Sequence, residues 1–328
     1  MILAGDIGGT STRLAFFKVR NRRLEMVLEK TYPSPEYAGL TEIVTTFISD
    51  HKLPIDLACF GIAGPVRQGR VETPNLAWVV EAEDLAHALG LETVNLINDL
   101  EAHAYGIAVL KPQDFVVLNP GVPEATGNAA VISAGTGLGE AGLYWDGKQH
   151  RPFACEGGHT DFAPQNDLEI ELLRYLLTKF EHVSYERVLS GPGLYNIYQF
   201  LRDTGRGQEI AWIAEAMRQQ DPSTVISQAA LTGKCRLCIQ ALDLFVTIYG
   251  AEAGNLALKI MATAGIFLGG GIAPKILSKL KGPLFRKAFT AKGRLSPLLE
   301  AIPVRVILND KTALWGAARY AALQASGL

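Results

Sequence analysis

The sequence predicts an α/β protein of two domains, and three observations carry that prediction. β-rich runs alternate with helical patterns. One strand, glycine turn, strand pattern occurs twice. The 328 residues, 48% hydrophobic and 20% charged, are enough to give each of two domains its own core.

Taken in order, residues 12–19, 57–61 and 94–97 are short runs rich in β-forming side chains and are expected as strands, while residues 40–51 and 82–90 carry helical patterns. Gly5-Asp6-Ile7-Gly8-Gly9-Thr10 leads into a strand-like run ending Ala15-Phe16-Phe17. Ser133-Ala134-Gly135-Thr136-Gly137-Leu138-Gly139 leads in the same way into Ala141-Gly142-Leu143-Tyr144-Trp145. Two copies of one hairpin suggest two related domains, although glycine-rich turns are common enough that this echo alone leaves duplication open. Residues 232–249 are expected as a helix carrying Cys235 and Cys238.

The formal net charge is −2, so no global positive field gathers nucleic acid or an anionic membrane. The first residues already read as a strand and lack the basic start and cleavage site of a leader, and the longest apolar runs fall short of the roughly 20 residues a membrane helix needs. A soluble cytoplasmic protein acting on a small molecule is the expectation. Four scattered cysteines make no disulfide framework, and Cys235-x-x-Cys238 has no second pair of Cys or His ligands nearby, so no protein-bound metal is expected.

Three glycine-rich turns suit a triphosphate, because backbone N–H groups must approach its oxygens without Cβ atoms in the way. They are Asp6-Ile7-Gly8-Gly9-Thr10, Gly135-Thr136-Gly137-Leu138-Gly139 and Gly269-Gly270-Gly271-Ile272-Ala273-Pro274. Each alone is equally a tight hairpin or a strand-to-helix connection. None is followed by Gly-Lys-Ser/Thr, which excludes a Walker A loop. The second resembles a dinucleotide fingerprint with Glu156 downstream, but it runs into a strand and not a helix, and its third glycine is one place early.

A sugar hydroxyl needs a carboxylate within reach to take its proton as the bond to phosphorus forms. Two β-rich runs end in Asn-Asp, at Asn98-Asp99 and Asn309-Asp310. Ligands of open α/β folds gather beyond the carboxyl ends of strands, yet Asn and Asp are also common helix N-caps, so the residues alone do not choose between the two. Glu156-Gly157-Gly158-His159 sets two polar side chains around a tight backbone bend where they can converge on one ligand. Glu186, by contrast, reads as an ordinary first-turn helix charge.

Together these residues resemble the bacterial glucokinases that lack the zinc motif, within the sugar kinase, heat-shock protein and actin superfamily. The first two glycine turns are similar to that family's phosphate motifs and Gly269-Gly270-Gly271-Ile272-Ala273-Pro274 to its adenosine motif. Gly61-Ile62-Ala63-Gly64-Pro65-Val66 and Ala253-Gly254-Asn255-Leu256-Ala257 are similar to its connecting segments. The resemblance implies a two-domain actin-like ATPase (ribonuclease H-like) fold with an interdomain cleft, residues 1–105 plus 302–328 forming the small domain and 106–301 the large one. It implies Asp99 as catalytic base, with Asn98, Glu156, His159, Glu186 and Asn75 on the sugar; Asn75 lies in a loop that closes on substrate. Asp6, Gly8, Gly9, Thr10, Gly135, Thr136, Gly137, Gly269, Gly270 and Gly271 would hold ATP and its Mg²⁺, with Asp6 reaching the metal through water. Asp310 would then belong to the returning C-terminal segment. The implied activity is ATP-dependent phosphorylation of glucose by a homodimer. Kinases of mannose, fructose or an amino sugar, a sugar-indifferent ATPase of the same fold and a sugar-responsive transcription regulator are the alternatives. The regulator would carry an added DNA-binding segment, and here the first phosphate turn begins at residue 6.

Overall fold

The computed structural model describes residues 1–73 and 76–326. The chain forms two compact units, one of Met1–Pro112, Pro152–Ala154 and Asn309–Leu328, the other of Gln113–Arg151 and Cys155–Leu308.

The first unit opens with β1 (Ile2–Ile7), β2 (Ser11–Arg20) and β3 (Arg23–Pro33), followed by α1 (Leu40–His51), β4 (Leu57–Ile62), the small hairpin β5 (Arg70–Glu72) and β6 (Val79–Glu81), α2 (Ala82–Leu89), β7 (Asn95–Asn98) and α3 (Asp99–Ile107). β1 and β2 pair antiparallel from Ile2↔Phe17 to Ile7↔Thr12, so the expected glycine hairpin is present. β4 lies parallel to β1 and β7 parallel to β4, giving the order β3-β2-β1-β4-β7. The strand expected at 94–97 starts one residue later and runs to Asn98.

The second unit contains β8 (Phe115–Asn119), β9 (Ala129–Ala134), β10 (Leu138–Trp145) and β11 (His150–Cys155), then α4 (Asp167–Leu177), α5 (Gly191–Asp203), α6 (Ala211–Gln219), α7 (Pro222–Leu231) and α8 (Arg236–Ile260). β12 (Gly265–Gly269), α9 (Ile272–Lys275), α10 (Leu277–Leu280), α11 (Pro283–Thr290), α12 (Ser296–Ala301) and β13 (Val304–Ile307) complete it. Its sheet runs β11-β10-β9-β12-β13-β8. β9 and β10 form an antiparallel hairpin, and β12 is parallel to both β9 and β13. Each sheet therefore has an antiparallel hairpin whose first strand carries two further parallel strands on its other side, the shared plan that the repeated sequence pattern suggested.

The helix bearing the two cysteines starts at Arg236, not near Thr232, because Gly233 at φ +71° breaks the chain after α7. Cys235 is its N-cap and its Sγ accepts from the Cys238 amide at 3.3 Å. Among the described residues α8 alone is long and apolar enough to cross a membrane; 78% of that stretch is buried, inside the core of the second unit. All four thiols are free.

After β13 the chain returns to the first unit as α13 (Thr312–Ser326), which lies on β1, β4 and α3. Ala313, Leu314, Ala317, Ala318 and Ala321 bury against Ile2, Ala4, Phe17, Cys59 and Ile97. The α3–α13 contact is unusually close. A Cβ on Gly316 would stand 2.7 Å from the Gly106 nitrogen and against the Ala102 carbonyl, and one on Gly106 would meet the Thr312 backbone.

Candidate active site

In the first unit, the parallel strands β1, β4 and β7 end at one edge of the sheet, where Ile7 is in register with Ile62 and Ile62 with Asn98. Open α/β sheets collect ligands beyond such strand ends. The Asn98 Oδ1 accepts from the Leu100 amide at 2.9 Å and the Glu101 amide at 3.4 Å, and its Nδ2 donates to the Gly64 carbonyl at 3.0 Å. Asn98 is thus the N-cap of α3 and a tie to the Gly61–Val66 segment. Asp99 follows as the first helical residue, with Oδ1 accepting from the Leu100 amide at 3.0 Å. α3 sits directly over β4: a Cβ on Gly61 would be 2.6 Å from that of Ala102.

Asp6, near the end of β1, shares this edge with Asp99 and Asp310. Burial first, and then the charges of Asp99 and Asp310, push its carboxyl up to about 6, with Arg13 opposing. Asp310 is mostly exposed and bound to Arg13, whose Nη2 lies 3.2 Å from its Oδ2 and whose Nη1 donates to its carbonyl at 3.0 Å. The two Asn-Asp pairs, alike in sequence, thus differ in setting. Asn309 caps only a turn into α13, through a 3.0 Å bond from the Lys311 amide. The Gly8–Thr10 turn is closed by the Gly8 amide donating to the Ser11 carbonyl at 3.0 Å. Ser34 donates to the Gly8 carbonyl at 2.8 Å and bonds Thr12 at 3.0 Å, a brace with no sequence signal because it comes from the far end of β3. Asn75 lies outside the described residues, as does its neighbour Pro74.

In the second unit, the other two glycine turns follow the adjacent parallel strands β9 and β12. The Gly135 amide donates to the Gly137 carbonyl and the Gly135 carbonyl accepts from the Gly191 amide, both at 2.8 Å. Gly270 adopts φ +78° with its bare face on the Ala134 carbonyl and 2.8 Å from the Ser133 Oγ, a place no side chain can occupy. A Cβ at Gly135 or Gly271 would meet nothing within 4 Å, so the Cβ side of each residue is uncrowded.

Glu156 and His159 flank the 3-10 turn Gly157–His159. Both are 60% exposed at the side chain, with His159 Nε2 4.0 Å from Glu156 Oε2. A short ladder follows: the Tyr185 amide donates to the Thr160 carbonyl and the Phe162 amide to the Val183 carbonyl, each at 3.0 Å. It brings the 3-10 turn Tyr185–Arg187 against Gly157–His159. Glu186 is not a free first-turn charge. Its Oε2 accepts from the Leu138 amide at 2.9 Å beside Gly137, which ties it to the second glycine turn. Two further acidic residues, Glu140 and Glu252, are completely buried behind this loop and escaped the sequence reading. Among the described residues, no group of three or more His, Cys, Asp and Glu side chains is arranged to hold a metal ion.

Residues 3–324 match the family described as Glucokinase. A glucokinase of Nostoc sp. is 44% identical over 98% of this chain and 99% of that protein. A glucokinase from an Antarctic psychrotroph has a crystal structure that superposes with a TM-score of 0.84 at 31% identity, covering 98% of each chain. The glucokinase of Balamuthia mandrillaris, solved in complex with glucose, shares the fold at a TM-score of 0.79 and 23% identity, over 98% of this chain and 93% of that one. With the glycine turns, the Asn98-Asp99 strand end and the Glu156–His159 loop all present on a matching fold, the chain belongs to the glucokinase family.

Proposed function

We propose that this protein transfers the γ-phosphoryl group of MgATP to a hydroxyl of glucose. The observation that carries the reading is the bond from the Leu138 amide to the Glu186 side chain, which ties a proposed hexose acceptor directly to a proposed phosphate turn. Glu156, His159 and Glu186 accept and orient ring hydroxyls, and Asn98 and Asn75 are assigned to the sugar as well. Gly9, Thr10, Thr136, Gly137 and Gly269 to Gly271 would offer backbone N–H groups to MgATP, Gly8 and Gly135 would shape the turns that present them, and Asp6 would reach the metal through water.

Asp99, its carboxylate oriented by the Leu100 amide, takes the proton of the reacting hydroxyl as that oxygen bonds to phosphorus and the bond to ADP breaks. Little covalent work is left to the protein, so positioning supplies most of the rate. We also propose a cytoplasmic homodimer, as the family resemblance implies.

A panel of glucose, mannose, fructose and an amino sugar with MgATP, read by coupled ADP formation, tests the assignment: glucose should give the highest kcat/KM. ATP consumption indifferent to sugar would sink it. Asp99→Asn should lose about 10²–10⁴-fold in kcat while still binding glucose in calorimetry; near-normal turnover would show that the base lies elsewhere.

A further inference from the structure

Leu138 and Glu140 stand two residues apart on β10 and so face the same way. The two glycines of the Glu156–His159 loop lie on them. The bare face of Gly157 rests on the Glu140 carboxyl, where a Cβ would collide with it, and that of Gly158 on the Leu138 carbonyl. Glu140 is 1% exposed, and its Oε1 has no hydrogen-bond partner. The charge of Glu252 of α8, itself 0% exposed, acts on it. A carboxyl buried with an unpartnered oxygen near a second buried acid favours its neutral form.

Glu252 accepts in turn from the Asn255 Nδ2 at 2.8 Å and from Lys259 at 3.3 Å. Asn255 Nδ2 donates to the Tyr185 hydroxyl at 2.9 Å, and Lys292 donates to Asn255 Oδ1 at 2.6 Å and to the Ala251 carbonyl at 2.9 Å. Tyr185 begins the turn that carries Glu186. The charged or titratable groups facing the pair are therefore Lys259, Tyr185, Tyr249 and Cys155, with Lys292 one bond removed. Only Lys259, half exposed, contacts a carboxylate directly.

We propose that Glu140 and Glu252 are positioning residues: Glu140, buried as a neutral acid, supports the Gly157–Gly158 turn from below, and Glu252, through Asn255 and Tyr185, fixes Glu186. The proposal rests on the reading of Glu156, His159 and Glu186 as hexose ligands. Burial and the neighbouring Glu252 charge push Glu140 up to about 8, so its proton is present at neutral pH and is lost above it. Losing it sets two negative charges against each other under the loop, which weakens sugar binding but leaves Asp99 untouched.

The test is the pH dependence of glucose KM and kcat from about pH 7 to about pH 10, for the wild type, Glu140→Gln and Glu140→Met. Both variants replace the neutral acid by an uncharged side chain of similar length. For the wild type, KM should rise by up to tenfold per pH unit above about 8 with kcat at saturation unchanged. Both variants should keep the neutral-pH KM within about threefold and show no alkaline rise. Infrared spectra at pH 7 should contain the carbonyl stretch of a buried neutral carboxylic acid that either substitution removes. An alkaline KM rise as large in the variants as in the wild type overturns the proposal, as does the lack of that difference band. Calorimetry at pH 7 separates the underlying reading: a wild type that retains the infrared band but binds no glucose refutes the hexose site itself, and the positioning role with it.

Discussion

The close backbone approach between α3 and α13 makes Gly316→Ala a quantitative probe of how the helix bearing Asp99 is held. The added methyl would lie 2.7 Å from the Gly106 nitrogen and against the Ala102 carbonyl, so the two helices must separate. Alanine gains about 1 kcal/mol of helix propensity over glycine. Forcing a methyl between two backbones that have no flexible side chain to yield costs about 3 kcal/mol. The net loss is about 2 kcal/mol, or about 4–8 °C in Tm. Scanning calorimetry of the variant beside Gly39→Ala measures it. Gly39 has extended backbone at φ −176° and nothing within 4 Å of its missing Cβ, so its substitution should cost under about 1 kcal/mol despite its N-cap position. A Gly316→Ala protein with an unchanged or raised Tm would refute the claim that this contact sets the helix spacing.

Two pH effects follow from the same unit. His103 lies on α3 with its Nε2 buried and unbonded, and burial lowers it to about 4 from an ordinary 6.5. The neutral ring is the form the fold accepts, so the stability tied to it is complete above 6.5 and is lost as pH falls toward 4. Thermal unfolding of His103→Leu should lack up to about 3 kcal/mol of that acid-side decline; parallel curves for variant and wild type would contradict this. Asp6 is raised to about 6, and the metal role proposed for it requires the ionised form. The KM for MgATP should therefore climb below about pH 6, and Asp6→Asn should bind MgATP weakly at every pH with no such climb. A variant that keeps the wild-type acid limb would assign that limb to another group.

Both glycine hairpins were legible because glycine runs between β-rich stretches leave few alternatives, and α1 could be read to the residue because its pattern is bounded by Gly39 and Lys52, the latter in the left-handed region. Local signals failed where the cause is distant. Asn98-Asp99 and Asn309-Asp310 look the same in sequence, and only tertiary partners separate them: Gly64 and the α3 amides for one, Arg13 for the other. Glu186 read as a helix charge because its partner, the Leu138 amide, is far away in sequence. Glu140 and Glu252 were invisible for the same reason, since an acid in an apolar strand or helix does not announce that it meets a second one.

The return of α13 to β1 and β4 has a bearing on biogenesis. The sheet of the first unit is made before α13, yet its second apolar face, with Ile2, Ala4 and Phe17, is covered only in part, by α3, until that helix follows. The second unit, contiguous apart from one short strand segment, can finish its core earlier. Newly made chains would thus be most vulnerable to chaperone capture or proteolysis at the sheet of the first unit, and a truncation near residue 312 would harm that unit before the second.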